Sequence, residues 1–179
     1  MEKLRLIVAA LGVAAALAGC VFSQNEYIEN ADFSLTLPEF DKASAPLALG
    51  VFQNLSGSDT RYLCRRADGR MARHEYLRWM MSPELLLQRC MYGAFSVDPY
   101  GAESMPRIGC LVYRFEFDEA AAAAKFSAEF FVERAGKRQV IRVDESEPLK
   151  GELTGASGAA AMSACADRAF AKLKGALKK

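Results

Sequence analysis

Residues 61–94 read RYLCRRADGRMARHEYLRWMMSPELLLQRCMYGA, and the change of period inside this stretch decides the fold class. Arg61 to Arg66 and Met71 to Arg78 are strand-like runs on either side of Ala67-Asp68-Gly69-Arg70. Asp-Gly takes a positive φ at little steric cost, so the stretch predicts a β-hairpin. The pattern then turns helical. Ser82 can cap exposed amides, Pro83 fits the first helical position, where its missing N–H costs nothing, and Leu86, Leu87, Cys90, Met91 and Ala94 share one face. A hairpin running into an amphipathic helix predicts an α/β chain whose sheet is not purely parallel.

Working outward toward the C-terminus, Ser96 to Arg107 contains Pro99, Gly101 and Pro106 and reads as a loop. Ile108 to Phe117 alternates as a strand, with Leu111, Tyr113, Phe115 and Phe117 on one side and Arg114 and Glu116 on the other. After an alanine-rich bend at Glu119 to Ala124, Lys125 to Glu133 and Arg138 to Asp144 form a strand pair joined through Ala135-Gly136. A final helix begins near Ser157, with Ala159, Met162, Ala166, Phe170, Leu173 and Leu177 at helical spacing. Lys172, Lys174, Lys178 and Lys179 gather at its C-terminal end, where cations complement the helix dipole, and a solvated end is favoured over contact with anionic headgroups. Toward the N-terminus, Leu47 to Phe52 is a short apolar strand, Asn54 to Thr60 is a loop, and Phe33-Ser34-Leu35-Thr36-Leu37 alternates as a strand that stops at Pro38. Roughly seven strands and two main helices result, in one α/β domain.

Ahead of this domain stands a different kind of sequence. Lys3 and Arg5 supply positive charge, Leu4 to Leu17 is nearly unbroken apolar residues, and Leu17-Ala18-Gly19-Cys20 is a small-residue cleavage site ending in cysteine. The apolar run falls short of the roughly 20 residues that span a bilayer. This predicts a lipoprotein signal peptide at 1–19, cleaved to leave Cys20 lipidated with diacylglycerol and acyl chains of the palmitate class. Residues 20–32 then form a polar tether and 33–179 the folded domain. Triple acylation makes such an anchor firm where a single chain is marginal. Without residues 1–19, which hold Lys3, Arg5 and Glu2, the totals of 23 basic and 22 acidic side chains become 21 of each. That neutral balance gives no support to a nucleic-acid partner.

Four cysteines remain: Cys64, Cys90, Cys110 and Cys165. An exported compartment and an even number permit disulfides, with three pairings open, whereas their apolar surroundings suit free thiols in a core. The absence of C-x-x-C leaves a zinc or redox pair without support. For catalysis the sequence offers little. His74, the only histidine, sits in a strand between Arg73 and Glu75, Ser56-Gly57-Ser58 is loop, and no G-x-S-x-G elbow or phosphate-cradling glycine motif occurs. The acidic pairs Asp118-Glu119 and Glu145-Glu147 stand at strand ends and are expected to face water rather than hold a cation. The expectation is a protein that is not an enzyme, with no cofactor and no metal.

With those residues in place, the chain resembles the ABC-type transport auxiliary lipoproteins, the PqiC-like components that work with MCE-domain lipid transporters. The resemblance rests on Tyr62-Leu63 with Arg66, Asp68-Gly69, Tyr76-Leu77-Arg78-Trp79 and Ser82-Pro83-Glu84-Leu85-Leu86. Phe115-Glu116-Phe117-Asp118, a charged hairpin, Glu147-Pro148-Leu149 and a closing alanine-rich helix continue it in order, from Phe33 to Leu177. Phe33-Ser34-Leu35 departs from the tyrosine-led strand usual there, and the extra cysteines are not a family feature. The resemblance implies a single three-layer α/β/α domain with a mixed β-sheet, like the N-terminal domain of TolB. It also implies a non-catalytic role in phospholipid transport between membranes, an MCE-domain partner, and self-association into a ring. Val21 after the lipidated cysteine is compatible with an outer-membrane location facing the periplasm. Among the residues, Arg66, Tyr76, Arg78 and Trp79 are the candidate partner contact, since tryptophan beside arginine can anchor an interface, although packing of Trp79 under the following helix is the favoured alternative. An envelope assembly factor that handles no lipid, and a small exported hydrolase, are the competing functional readings.

Overall fold

The computed structural model describes residues 30–36, 46–101 and 105–178. The expected signal peptide, Cys20, and the strand stop at Leu37 and Pro38 lie outside the described residues. Seven strands and two helices follow in the order β1 (Ala31–Phe33), β2 (Ala48–Asn54), β3 (Arg61–Arg65), β4 (Met71–Trp79), α1 (Pro83–Ala94), β5 (Arg107–Asp118), β6 (Ala123–Arg134), β7 (Lys137–Pro148) and α2 (Gly155–Leu177). They form one mixed sheet of order β1-β4-β3-β5-β6-β7, with β2 also paired to β5. The strand β5 organises it. Along one edge, β2 pairs with its first half and β3 with its end, both parallel, while β6 runs antiparallel along the whole of the other edge.

The hairpin at the centre of the sequence forms as expected, with Gly69 at φ 84° and β3 antiparallel to β4. On α1 the apolar face is Leu86, Leu87, Cys90, Met91 and Ala94, all buried. Its N-terminus differs in detail: the Ser82 hydroxyl donates to Glu84 at 2.6 Å instead of capping an amide. The helix α2 starts two residues before Ser157. Thr154 is the cap, with its Oγ1 accepting from Ser157 N at 3.1 Å and Ser157 Oγ accepting from Thr154 N at 2.9 Å.

Both helices lie on one face of the sheet. Phe95, just past α1, meets Phe170 of α2 at 6.3 Å between ring centroids, and Phe170 meets Phe130 of β6 at 5.9 Å. Under the start of α2, Tyr62 stacks on Trp79 at 4.3 Å and on Phe117 at 4.9 Å. Gly155 allows this approach, because a Cβ there would lie 1.8 Å from the ring of Phe33. The α/β class and the single mixed sheet are as the sequence predicts. The layer count is not: among the described residues the structure has one helical layer, and the sheet's other face carries Arg65, Arg114, Glu129 and Arg142 in ion pairs.

Two strands differ from their sequence pattern. The register of β5 against β6 passes from Val112↔Ala128 to Arg114↔Ser127, so Tyr113 is an extra residue in a bulge. Ile108, Cys110 and Val112 face the helices before it and Phe115 and Phe117 after it, whereas Leu111 and Tyr113 fall on the opposite face from those two phenylalanines. The expected strand Phe33–Leu37 is instead Ala31–Phe33. Thr36 N donates to Ser163 Oγ of α2 at 2.9 Å, which takes the chain away from the sheet.

Candidate functional site

On the face away from the helices, β2 and β5 make a solvent-open groove of about 550 Å³, lined by Leu49, Gly50, Val51, Arg107, Gly109, Leu111, Phe131, Glu133 and Arg138. A second irregularity builds it. The parallel register of β2 and β5 shifts between Leu49 and Phe52, which brings Val51 close over Gly109. A Cβ at Gly109 would lie 2.7 Å from the carbonyl oxygen of Val51, so this approach requires glycine. Phe52 turns into the core while Val51 is 76% exposed.

The groove is apolar with charge at its end. Leu49, Val51, Leu111 and Phe131 supply the apolar surface. The guanidinium of Arg138 lies 4.9 Å from the ring centroid of Phe131 and pairs with Glu133 at 2.6 Å. Arg107 is exposed and, among the described residues, has no ion-pair partner. None of the nine lining side chains is a serine, cysteine or histidine, so what this surface offers is hydrophobic contact and positive charge. Such a combination suits a partner or ligand that presents apolar surface beside an anionic group.

The structure disperses the residues singled out from the sequence. Trp79 is 1% exposed and packs in the aromatic stack, so the packing alternative holds. Its Nε1 is buried without a hydrogen-bond partner, as is Nε of Arg78. Arg66 is exposed at the start of the β3–β4 turn and pairs with Glu119, just past the end of β5. Tyr76 is half-buried, and its hydroxyl is held toward its protonated form by hydrogen bonding to Glu75. These four do not form a common contact surface. His74 accepts at Nδ1 from the backbone amides of Tyr76 and Leu77, at 3.3 and 3.1 Å, where the β3–β4 register shifts. Its imidazole therefore braces a strand irregularity.

All four cysteines are buried free thiols, so no bridge forms and the core reading of them is the one realised. Burial pushes the thiol of Cys64 up to about 11, Cys90 to about 12 and Cys165 to about 11, and raises that of Cys110 as well. The acidic pairs are also occupied. Glu119 pairs with Arg66, while Asp118 accepts from Ala121 N. Glu145, 7% exposed, is held between Arg168 at 2.9 Å and Lys172 at 2.5 Å, and Glu147 meets Arg168 at 2.7 Å. The expected exposure of this pair gives way because β7 continues to Pro148 and carries both carboxylates under α2. Lys172 stays exposed at the helix end and is tied to the sheet through Glu145. Among the described residues no His, Cys, Asp or Glu cluster is placed to hold a metal ion, and no helix is long and apolar enough to cross a membrane.

What fold and groove define together is a single α/β domain whose sheet, among the described residues, has one helix-covered and one open face. Solved structures share this fold, among them the following two. One, described as an uncharacterized protein, aligns with a TM-score of 0.63 at 11% identity, covering 84% of this chain and 98% of its own. The other, a Xanthomonas campestris protein of family DUF330, aligns with a TM-score of 0.56 at 15% identity, covering 83% of this chain and 92% of its own. No family model matches the chain, and no curated protein matches it.

Proposed function

We propose that this chain is a periplasm-facing lipoprotein subunit of an ABC-type phospholipid transport system. In this reading lipid on Cys20 tethers it, it works beside an MCE-domain protein, and it performs no chemistry of its own. The observation that carries the reading is the open sheet face, where an apolar groove ends in the exposed Arg107. A surface of that kind receives a protein partner or an acidic lipid more readily than a substrate for hydrolysis, because it offers contact and charge without a nucleophile. The cleavage site before Cys20 and the ordered resemblance from Phe33 to Leu177 support the same reading.

Copurification is the test. The tagged, acylated chain should retain an MCE-domain protein, and Leu111→Arg in the groove should release it while the protein remains folded by circular dichroism. Cys20→Ser should abolish acyl labelling. Retention of only outer-membrane assembly machinery, or of the same partners after Leu111→Arg, would overturn the proposal.

A further inference from the structure

The strand β7 is the last in the sheet, and among the described residues nothing pairs with its outer edge. Which backbone groups point out of that edge follows from the turn before it. Arg134 and Lys137 flank a two-residue turn with Ala135 at φ 49° and Gly136 at φ 73°, so these flanking residues exchange both of their hydrogen bonds. Bonded and non-bonded pairs then alternate along a ladder that runs unbroken to Ala123↔Pro148. The odd-numbered residues of β7 therefore bond β6, and the N–H and C=O groups of Arg138, Val140, Arg142, Asp144 and Ser146 point outward. Ser146 agrees with this parity, since its carbonyl accepts from Arg168 Nη2 at 3.0 Å. That bond also closes the edge at Ser146. The open template is Arg138 to Asp144, centred on Ile141.

Proteins usually blunt such an edge with charged side chains, a bulge, a proline, a short strand or a covering element. Of these devices the stretch 138–144 has only charge among the described residues, and the first proline of the strand is Pro148. Those charges are of both signs and self-complementary. The geometry points to antiparallel pairing of this edge with the same edge of a second copy, about a two-fold axis at Ile141, which joins two seven-stranded sheets into one. In this register Arg138 lies opposite Asp144 of the second copy, Val140 opposite its Arg142 and Lys137 opposite its Glu145, each relation occurring twice by symmetry. All four outward N–H groups and all four outward C=O groups of each copy find partners. Asp144, exposed and without an ion pair among the described residues, gains a cation. The neighbouring registers fail on charge: one sets Arg138 opposite Arg142, the other sets Arg142 opposite itself. This inference is independent of the transport reading, and either can fail alone.

At the axis Ile141 faces its own copy as a non-hydrogen-bonded pair, the closer of the two kinds of antiparallel pair and within reach of a disulfide after small adjustment. In the full chain, purified in detergent, Ile141→Cys is expected to form a covalent dimer on mild oxidation. Gln139→Cys, which faces Val143 of the second copy in this register, is expected not to link to itself. The wild type, with its buried thiols, serves as the blank. Val140→Pro removes an outward N–H without touching the β6 ladder, and should reduce the particle mass from two chains to one by light scattering. Equal cross-linking of Ile141→Cys and Gln139→Cys, a wild type with the mass of one chain, or an unchanged mass for Val140→Pro would each overturn the inference.

Discussion

Asp167 stands on α2 close enough to Cys90 of α1 that its charge helps to raise that thiol, and its Oδ1 is buried without a hydrogen-bond partner. Burial lifts its carboxyl above the ordinary 3.8, against the opposing pull of Arg168. Glu145, on β7 beneath α2, behaves in the opposite sense: burial pushes it up, but the hydrogen bonds and charges of Lys172 and Arg168 outweigh that and hold it low. The linkage therefore differs in sign. For Asp167 the folded state binds the proton more tightly than the unfolded one, so this group lowers stability as pH rises from the unfolded value through the raised folded value. Asp167→Asn should raise Tm at pH 7 and lose that advantage below the unfolded carboxylate range, as read by thermal unfolding at a series of pH values. A Tm at pH 7 no higher than wild type would refute the account. Neither role was legible in the sequence, since the chain around 145–147 and 165–172 reads only as alternating charge until α2 is laid across β7.

At the scale of elements, the strands and helices that could be read were those whose period is uninterrupted. The α1 face from Leu86 to Ala94 needs only local spacing behind a proline at the first helical position, and it appears with the same five residues. The strand β5 looked equally regular, but a period of two assigns faces correctly only up to the bulge at Tyr113, beyond which every side chain reverses. The groove depends on the companion irregularity in β2. Gly109→Ala sets a Cβ against the Val51 carbonyl, where the atom in the way is backbone and cannot rotate aside. The expected cost is about 1–3 kcal/mol, with faster amide exchange in β2 than in β6. Exchange unchanged in β2 would show that the groove does not need the close approach.

For the whole molecule, the thiols test the core directly. Cys64, Cys90, Cys110 and Cys165 come from β3, α1, β5 and α2 and all lie within one buried cluster. A thiol reagent at neutral pH should label none of them in the native protein and all four after denaturation, whereas rapid native labelling of any one would place it outside that core. The sequence by itself determined the elements, the mixed α/β class and, by spacing against turn and cap residues, where most of them begin and end. It left bridge against free thiol open and grouped Arg66, Tyr76, Arg78 and Trp79 by proximity along the chain. Only the tertiary structure decided that Trp79 belongs to the core, that both helices share one face, and that the groove lies between β2 and β5. The physical reason is one of range: period and capping are interactions within a few residues. Burial, strand register and the choice of sheet face are set by contacts between residues far apart in sequence, such as Val51 with Gly109 and Glu145 with Arg168.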